Sequence, residues 1–232
     1  MRDVRAENPS HLQHLLISNE CAGCDLTGAT LTAARLSRAN LERVNLTQAK
    51  LKDAILFQAN LGQANLTQAD LTHAQMSEAN LATADLSGSN LTGAILNRAI
   101  LTEALLPDVD LTGAQLVEGR LSAVNLQNSR LHQAQLRGAN LSRANLEGAD
   151  LTEADLFRSN LMKTSLRSAN LTGVDLRNSR LIEADLQGAN LTNANLQDAS
   201  LHRATLTDAL FCNTRMPDGQ INNSGCQPSL SL

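Results

Sequence analysis

A large apolar residue stands at every fifth position of this chain from Leu26 to Leu206, with no insertion breaking the register. Of those 37 positions, 36 are Leu and one is Met76. Two residues before each lies a small one: 26 are Ala, and the others include Cys24, Val44, Ser89, Gly119, Ser159 and Thr164. Immediately before the Leu, 21 of the 37 positions are Asn or Asp, so the unit reads Ala-(Asn/Asp)-Leu-x-x. A fixed period of this kind dictates the architecture, because each repeat can bury its apolar face only against its neighbours.

Five matches neither the 3.6 period of a helix nor the period of 2 of a strand. On a helix, steps of five carry the Leu around the whole surface; on a strand, they alternate faces. A coiled-coil array needs an average of 3.5, and the recurrent Asn, Thr and Gly disfavour long helices. The pattern is satisfied if the chain turns a corner every five residues. Each Leu and the small residue two before it then point inward, and the other three point out. Four corners close a square coil of twenty residues, and stacked coils are spaced like strands, ~4.8 Å apart. The repeats make a little over nine coils, a rod roughly 45 Å long at that spacing. Composition agrees: the chain is 42% hydrophobic but 1% aromatic, with three Phe and no Trp or Tyr, so Leu and Ala must fill a narrow interior.

The stretches "ANLTQADLTHAQM" (64–76), "ANLSRANLEGADLTEADL" (139–156) and "ANLTNANLQDASL" (189–201) resemble the pentapeptide-repeat family. The resemblance covers roughly residues 24–216. It implies an all-β fold, a right-handed quadrilateral β-helix (solenoid) of stacked 20-residue square coils. A short N-terminal capping α-helix is expected before it. The expected divisions are an arm and capping helix over 1–23, the β-helix over 24–216 and a capping tail over 217–232. Fold alone does not assign an activity.

A stack of coils has two open ends, with apolar interior and unpaired backbone to cover. In "NPSHLQHLLISNE", Ser10 and Gln13 have capping-box spacing, and Leu12, Leu15 and Leu16 form one helical face. At the other end Phe211, Met216 and Ile221 keep the beat, but "MPDGQINNSG" is turn-rich, which implies a tail folded over the last coil. The four Cys sit only at these ends. Two disulfides would have to pair Cys21 with Cys24 and Cys212 with Cys226, since ends some tens of Å apart cannot be bridged. "CAGCDLTGATL" and "FCNTRMPDGQINNSGC" also resemble exported members of the family from cyanobacteria and the plant thylakoid lumen. The alternatives are four reduced thiols, or a zinc site of His11, His14, Cys21 and Cys24.

Little else points to chemistry. The formal net charge is −4 with acids and bases interspersed, which gives no nucleic-acid footprint. No apolar run reaches the length of a membrane span. The first residues lack the apolar stretch of a secretory signal; periplasm or thylakoid lumen is expected only if a signal peptide precedes this sequence, and cytoplasm otherwise. No phosphate-binding glycine loop is present. His73, His132 and His202 are isolated, and Asp53 stands one coil from His73 with no nucleophile beside it. Stacked Thr27, Thr47 and Thr67, or Thr72, Thr92 and Thr112, read as β-promoting outer ladders. A Leu/Ala interior leaves no substrate cavity. The expectation is no enzyme, no cofactor and no small-molecule substrate, but a scaffold for an unknown protein partner, monomeric or weakly dimeric.

The outer face centred on Leu36, Leu56, Met76, Leu96, Leu116, Leu136 and Leu156 is the candidate partner surface. It carries Ile55, Phe57, Ile95, Val117 and Phe157 where other faces are polar, and Ile95 also begins a belt with Ile100 and Leu105. The alternative function, known for some pentapeptide-repeat proteins, is inhibition or protection of type II topoisomerase (gyrase) by DNA mimicry, which needs a concentrated negative surface. Arg35, Arg98, Arg120 and Arg158 are among the cations that interrupt the outer faces here. The topoisomerase-directed relatives also favour Phe in the core and some carry loop insertions; these repeats have neither.

Overall fold

The computed structural model describes residues 9–226. They form a right-handed β-helix of twenty-residue coils. Parallel bridges join residues twenty apart, from Glu20–Asn40 down to Asn195–Arg215. Each bridge is one residue long, because the chain turns again before a second can pair.

Within each repeat the same hydrogen bonds recur. In the repeat of Leu146, Leu146 N–H donates to Ser165 O at 2.8 Å and Gly148 N–H to Arg167 O at 2.9 Å, one coil onward. Asn145 N–H donates to Val124 O at 2.9 Å, one coil back, and Ala149 N–H to Leu146 O at 3.1 Å closes the turn. The second central residue of such turns has positive φ, as in a type II turn. Gly148 meets this at no steric cost (φ 67°), while Arg143 holds φ 60° with a full side chain.

The Asn or Asp before the Leu has a local reason. Its Oδ1 accepts the backbone N–H two residues on, an Asx turn, and a Thr there adds its hydroxyl. Thr47 donates to Asn45 Oδ1 through N–H at 3.2 Å and Oγ1 at 2.7 Å; Thr192 does the same to Asn190 at 3.0 and 2.7 Å. Thr152 makes the same pair of bonds to Asp150 Oδ1, at 3.1 and 2.5 Å, so Asn and Asp accept from identical donors and interchange along the chain.

Every beat residue from Leu26 to Leu196 is at most 2% exposed. The core is a single column of stacked Leu and Ala along the axis. Three of the small polar residues in the Ala positions are tied to backbone: Ser129 Oγ donates to Leu106 O and Thr164 Oγ1 to Leu141 O, both at 2.7 Å, and Ser179 Oγ to Leu176 O at 2.6 Å.

The helix α1, Pro9–Ser18, covers the first coil. It begins at Pro9, a residue suited to a first helical position, so Ser10 lies inside it rather than ahead of it as the capping-box spacing suggested. The apolar face is also narrower than expected. Leu15 is buried and Leu12 half-buried, but Leu16 is 59% exposed. Leu16 is rotated about 100° from Leu15 at 3.6 residues per turn, and the narrow rod top meets only the Leu12–Leu15 side. His11 completes the lid, its Nδ1 accepting Asp25 N–H at 3.1 Å.

Cys21 takes a Leu position and Cys24 the small position that follows; the two are disulfide-bonded. At the other end Phe211, 8% exposed, takes the Leu position. The tail then turns back: β1, Thr214–Arg215, pairs antiparallel with β2, Ile221–Asn222. A Cys212–Cys226 disulfide pins it. Gly225 donates to Phe211 O at 2.7 Å where the strands of chain cross, and a Cβ there would stand 2.9 Å from Phe211 N. The lid is partial: Leu201 and Leu206 are half-buried, and Leu210 is exposed.

Candidate partner surface

The outer columns of the face centred on Leu36 to Leu156 are set by the twenty-residue coil. One column bridges Arg35, Ile55, Gln75, Ile95 and Gln115 in order. The next turn position runs Phe57, Ser77, Asn97, Val117, Arg137, Phe157 and Arg177. Phe57 is 37% exposed, whereas Ile55, Ile95, Val117 and Phe157 are half-buried between their vertical neighbours.

The five side chains are not one continuous patch. Gln75 separates Ile55 from Ile95, and Ser77 and Asn97 separate Phe57 from Val117. Asn97 makes that break polar: its Oδ1 accepts Val117 N–H at 2.9 Å and its Nδ2 donates to Gln115 Oε1 at 3.3 Å. Ile55 and Phe57 therefore form an upper apolar spot, and Val117 and Phe157 belong to a lower cluster.

The lower cluster is cationic. The Phe157 ring has the guanidinium carbons of Arg158, Arg137 and Arg177 at 4.9, 5.4 and 5.6 Å from its centroid, within cation–π range. Arg137 donates to Asp155, and Arg177 pairs with Asp175 at 2.6 Å. Arg158 has no acidic partner among the described residues. Burial acts to raise the Asp175 carboxyl, but Arg177 outweighs it and holds the group below the usual carboxylate range. A hollow of about 230 Å³ is lined by Val117, Glu118, Arg137, Gly138, Phe157 and Arg158. The arginine clamp was legible in the twenty-residue column that holds 137, 157 and 177, but its closure on the ring needed the side-chain directions.

Other sequence candidates are placed as follows. Asp53 and His73 approach to 3.8 Å on an exposed edge, with the imidazole lying over Gly93. Cys21 and Cys24 are bonded to each other, so the zinc arrangement with His11 and His14 has no free thiols. Among the described residues no group of three or more His, Cys, Asp and Glu is arranged to hold a metal. No described helix is long and apolar enough to cross a membrane. Ile100 is half-buried and Leu105 46% exposed, so the belt beginning at Ile95 is open at one side.

Among curated proteins, none matches. Solved structures do. HetL, a pentapeptide repeat protein involved in heterocyst differentiation regulation from the cyanobacterium Nostoc sp. strain PCC 7120, is 33% identical, with 91% of this chain and 97% of that chain covered and a TM-score of 0.69. QnrB1, a plasmid-mediated fluoroquinolone resistance protein, is 19% identical over 77% of this chain and 91% of its own, with a TM-score of 0.68, a likeness of fold. A pentapeptide repeat protein of the Arabidopsis thaliana thylakoid lumen is 33% identical over 41% of this chain and 66% of its own, with a TM-score of 0.40. The sequence profile described as pentapeptide repeats matches in eight copies, over segments that run without a gap from 24–63 to 179–218. With its twenty-residue ladder and Leu/Ala core, the chain belongs to the pentapeptide-repeat family.

Proposed function

We propose that the chain is a non-enzymatic scaffold, monomeric or weakly dimeric, that presents a side face to a protein partner. The supporting observation is that the interior is solid: every beat residue from Leu26 to Leu196 is at most 2% exposed. Coils filled in this way leave ligands the outer surface. On that surface the spot of Ile55 and Phe57, with the exposed ring at its edge, is the starting point for recognition, and Ile95, Val117 and Phe157 extend it down the same face. HetL, described as involved in the regulation of heterocyst differentiation, supports a regulatory rather than a catalytic use of such a surface.

The test is Phe57→Ser, alone and with Ile95→Ser, read by size-exclusion chromatography with light scattering and by capture from the source organism. Phe57→Ser is expected to leave the melting temperature nearly unchanged and to reduce capture or self-association. Adding Ile95→Ser deepens that loss with a small drop in melting temperature, since Ile95 is half-buried. A large drop for Phe57→Ser alone overturns the outward placement, and unchanged association overturns the surface. Topoisomerase protection by DNA mimicry has support only from the QnrB1-like fold. Cations such as Arg98, Arg137 and Arg158 break the negative surface it requires. A gyrase supercoiling assay separates the two readings.

A further inference from the structure

The face centred on Leu101, Leu121, Leu141 and Leu161 departs from the charge mixing of the rest of the rod. Its outward positions between Glu103 and Glu183 hold Arg120, Arg143, Lys163 and Arg180 and no acidic residue. All four are exposed. Lys163 pairs with Glu183 at 3.4 Å; Arg120, Arg143 and Arg180 have no ion pair or side-chain hydrogen bond among the described residues. The chain as a whole is acidic, at −4, so this strip is a local reversal of sign.

The strip flanks a groove. About 420 Å³ is lined by Thr102, Glu103, Ser122, Ser142, Arg143, Met162 and Lys163 among others. The small residues Ser122 and Ser142 form its floor because a Thr, Ser or Ala stands there on three successive coils. Arg143 and Lys163 rise on one rim; Arg120 and Arg180 belong to the column on the other. The flanking columns hold Glu118, Gly138, Arg158 and Asn178 on one side and Asn125, Asn145, Ser165 and Asp185 on the other; their two acids are already engaged, Glu118 by Arg98 at 2.8 Å and Asp185 by Arg167 at 3.0 Å.

We propose that this cationic groove docks a short acidic segment of a partner protein. Three coils separate Arg120 from Arg180, about 14 Å at the strand spacing, the reach of four or five extended residues. That span is too long for one inorganic anion to bridge. A nucleic acid strand is disfavoured on two counts. The groove has no aromatic platform on which bases could stack. Glu103 above and Glu183 below would also repel a polyanion running past either end. A segment of a few carboxylates fits between them, with the Ser122 and Ser142 hydroxyls along the groove to take its backbone. The surface is separate from the Ile55–Phe57 spot, so either stands if the other fails.

The experiment is fluorescence anisotropy with a fluorescein-labelled pentaglutamate peptide, compared with an oligothymidylate of similar length. Saturable peptide binding is expected at low salt, weakening as salt approaches about 0.15 M. Arg143→Glu with Lys163→Glu should weaken it at least about tenfold by placing like charges against the peptide. Arg143→Lys with Lys163→Arg should stay within about twofold, since the charge is kept. Phe57→Ser should not change it. If the first reversal does not fold by circular dichroism, Arg120→Glu with Arg180→Glu on the opposite rim tests the same groove. No saturable binding of the peptide, binding indifferent to both reversals, or tighter binding of the oligothymidylate overturns the proposal.

Discussion

Arg98 donates through Nε to Glu118 Oε2 at 2.8 Å, although the two are twenty residues apart. One coil further back Glu78 accepts from Gln58 at 2.7 Å and adds its field to Arg98. The relationship reports the register of the whole rod. Arg98→Glu stacks three carboxylates in one column and should lower the melting temperature. Combining it with Glu118→Arg should recover most of the loss at low salt and less at high salt, where exposed pairs are screened. Thermal melts of the two variants check this, and a double variant no better than the single one would contradict the register.

Acid should loosen the rod through partly buried Asx turns. Burial acts to raise the Asp110 carboxyl, but hydrogen bonds from Thr112 Oγ1 and N–H at 2.7 and 3.0 Å, with Arg130 at 2.5 Å, outweigh it and hold the group below the usual carboxylate range. A lowered pKa means the charged form favours the fold. That contribution is full above the unfolded value, ~3.9, and is lost as pH falls through the folded one. Melting temperature should therefore drop below about pH 4. Asp110→Asn should flatten part of that drop, because Asn90 makes the same bonds with Thr92.

The core has no slack. Ala144 is 2% exposed and Leu146 fully buried. Ala144→Leu should cost about 1–3 kcal/mol by overpacking, and Leu146→Ala about 2–5 kcal/mol through the cavity it leaves. Ser89 and Ser159 are the exceptions: both are buried, and their hydroxyls have no partner among the described residues. Ser159→Ala should stabilise by about 1 kcal/mol. Chemical denaturation of the three variants gives all three signs.

Thr83 holds φ at 56° with a β-branched side chain, a conformation that costs an L residue roughly 1–2 kcal/mol. Neighbouring turns place Gly88 and Gly93 at the same step. Thr83→Gly removes the strain and returns about 0.5–1 kcal/mol of it as chain entropy. A small gain in melting temperature is expected, and a loss would mean that the Thr83 hydroxyl, bonded to Ala82 O at 2.7 Å, outweighs the strain.

The two disulfides should differ in weight. Cys212–Cys226 closes a separation of 14 residues around the tail and is worth about 3 kcal/mol by loop closure. Cys21–Cys24 spans three residues within one repeat, where the backbone bond of Cys24 to Cys21 O already closes the turn. Cys212→Ser with Cys226→Ser should expose the tail to proteolysis and lower stability far more than the Cys21–Cys24 pair does. Intact mass of the oxidised protein should fall about four hydrogens short of the reduced one.

What the sequence determined by itself was the coil. An unbroken five-residue beat leaves one way to bury Leu and Ala together, so the inward positions from Leu26 to Leu196 and the vertical neighbours of Arg98 or Lys163 could be read directly. The ends were legible only in part, because periodicity stops there: the helix turns Leu16 out, and the tail leaves Leu201 and Leu206 half-covered. On the surface the repeat fixes which residues are neighbours but not where their side chains go. Only the tertiary structure closed three guanidiniums on Phe157, split the apolar face with Asn97, and left Arg120, Arg143 and Arg180 unpaired around one groove. Outward side chains are long, charged and free to choose among several partners of similar energy, so that choice is made in space and leaves no period in the chain.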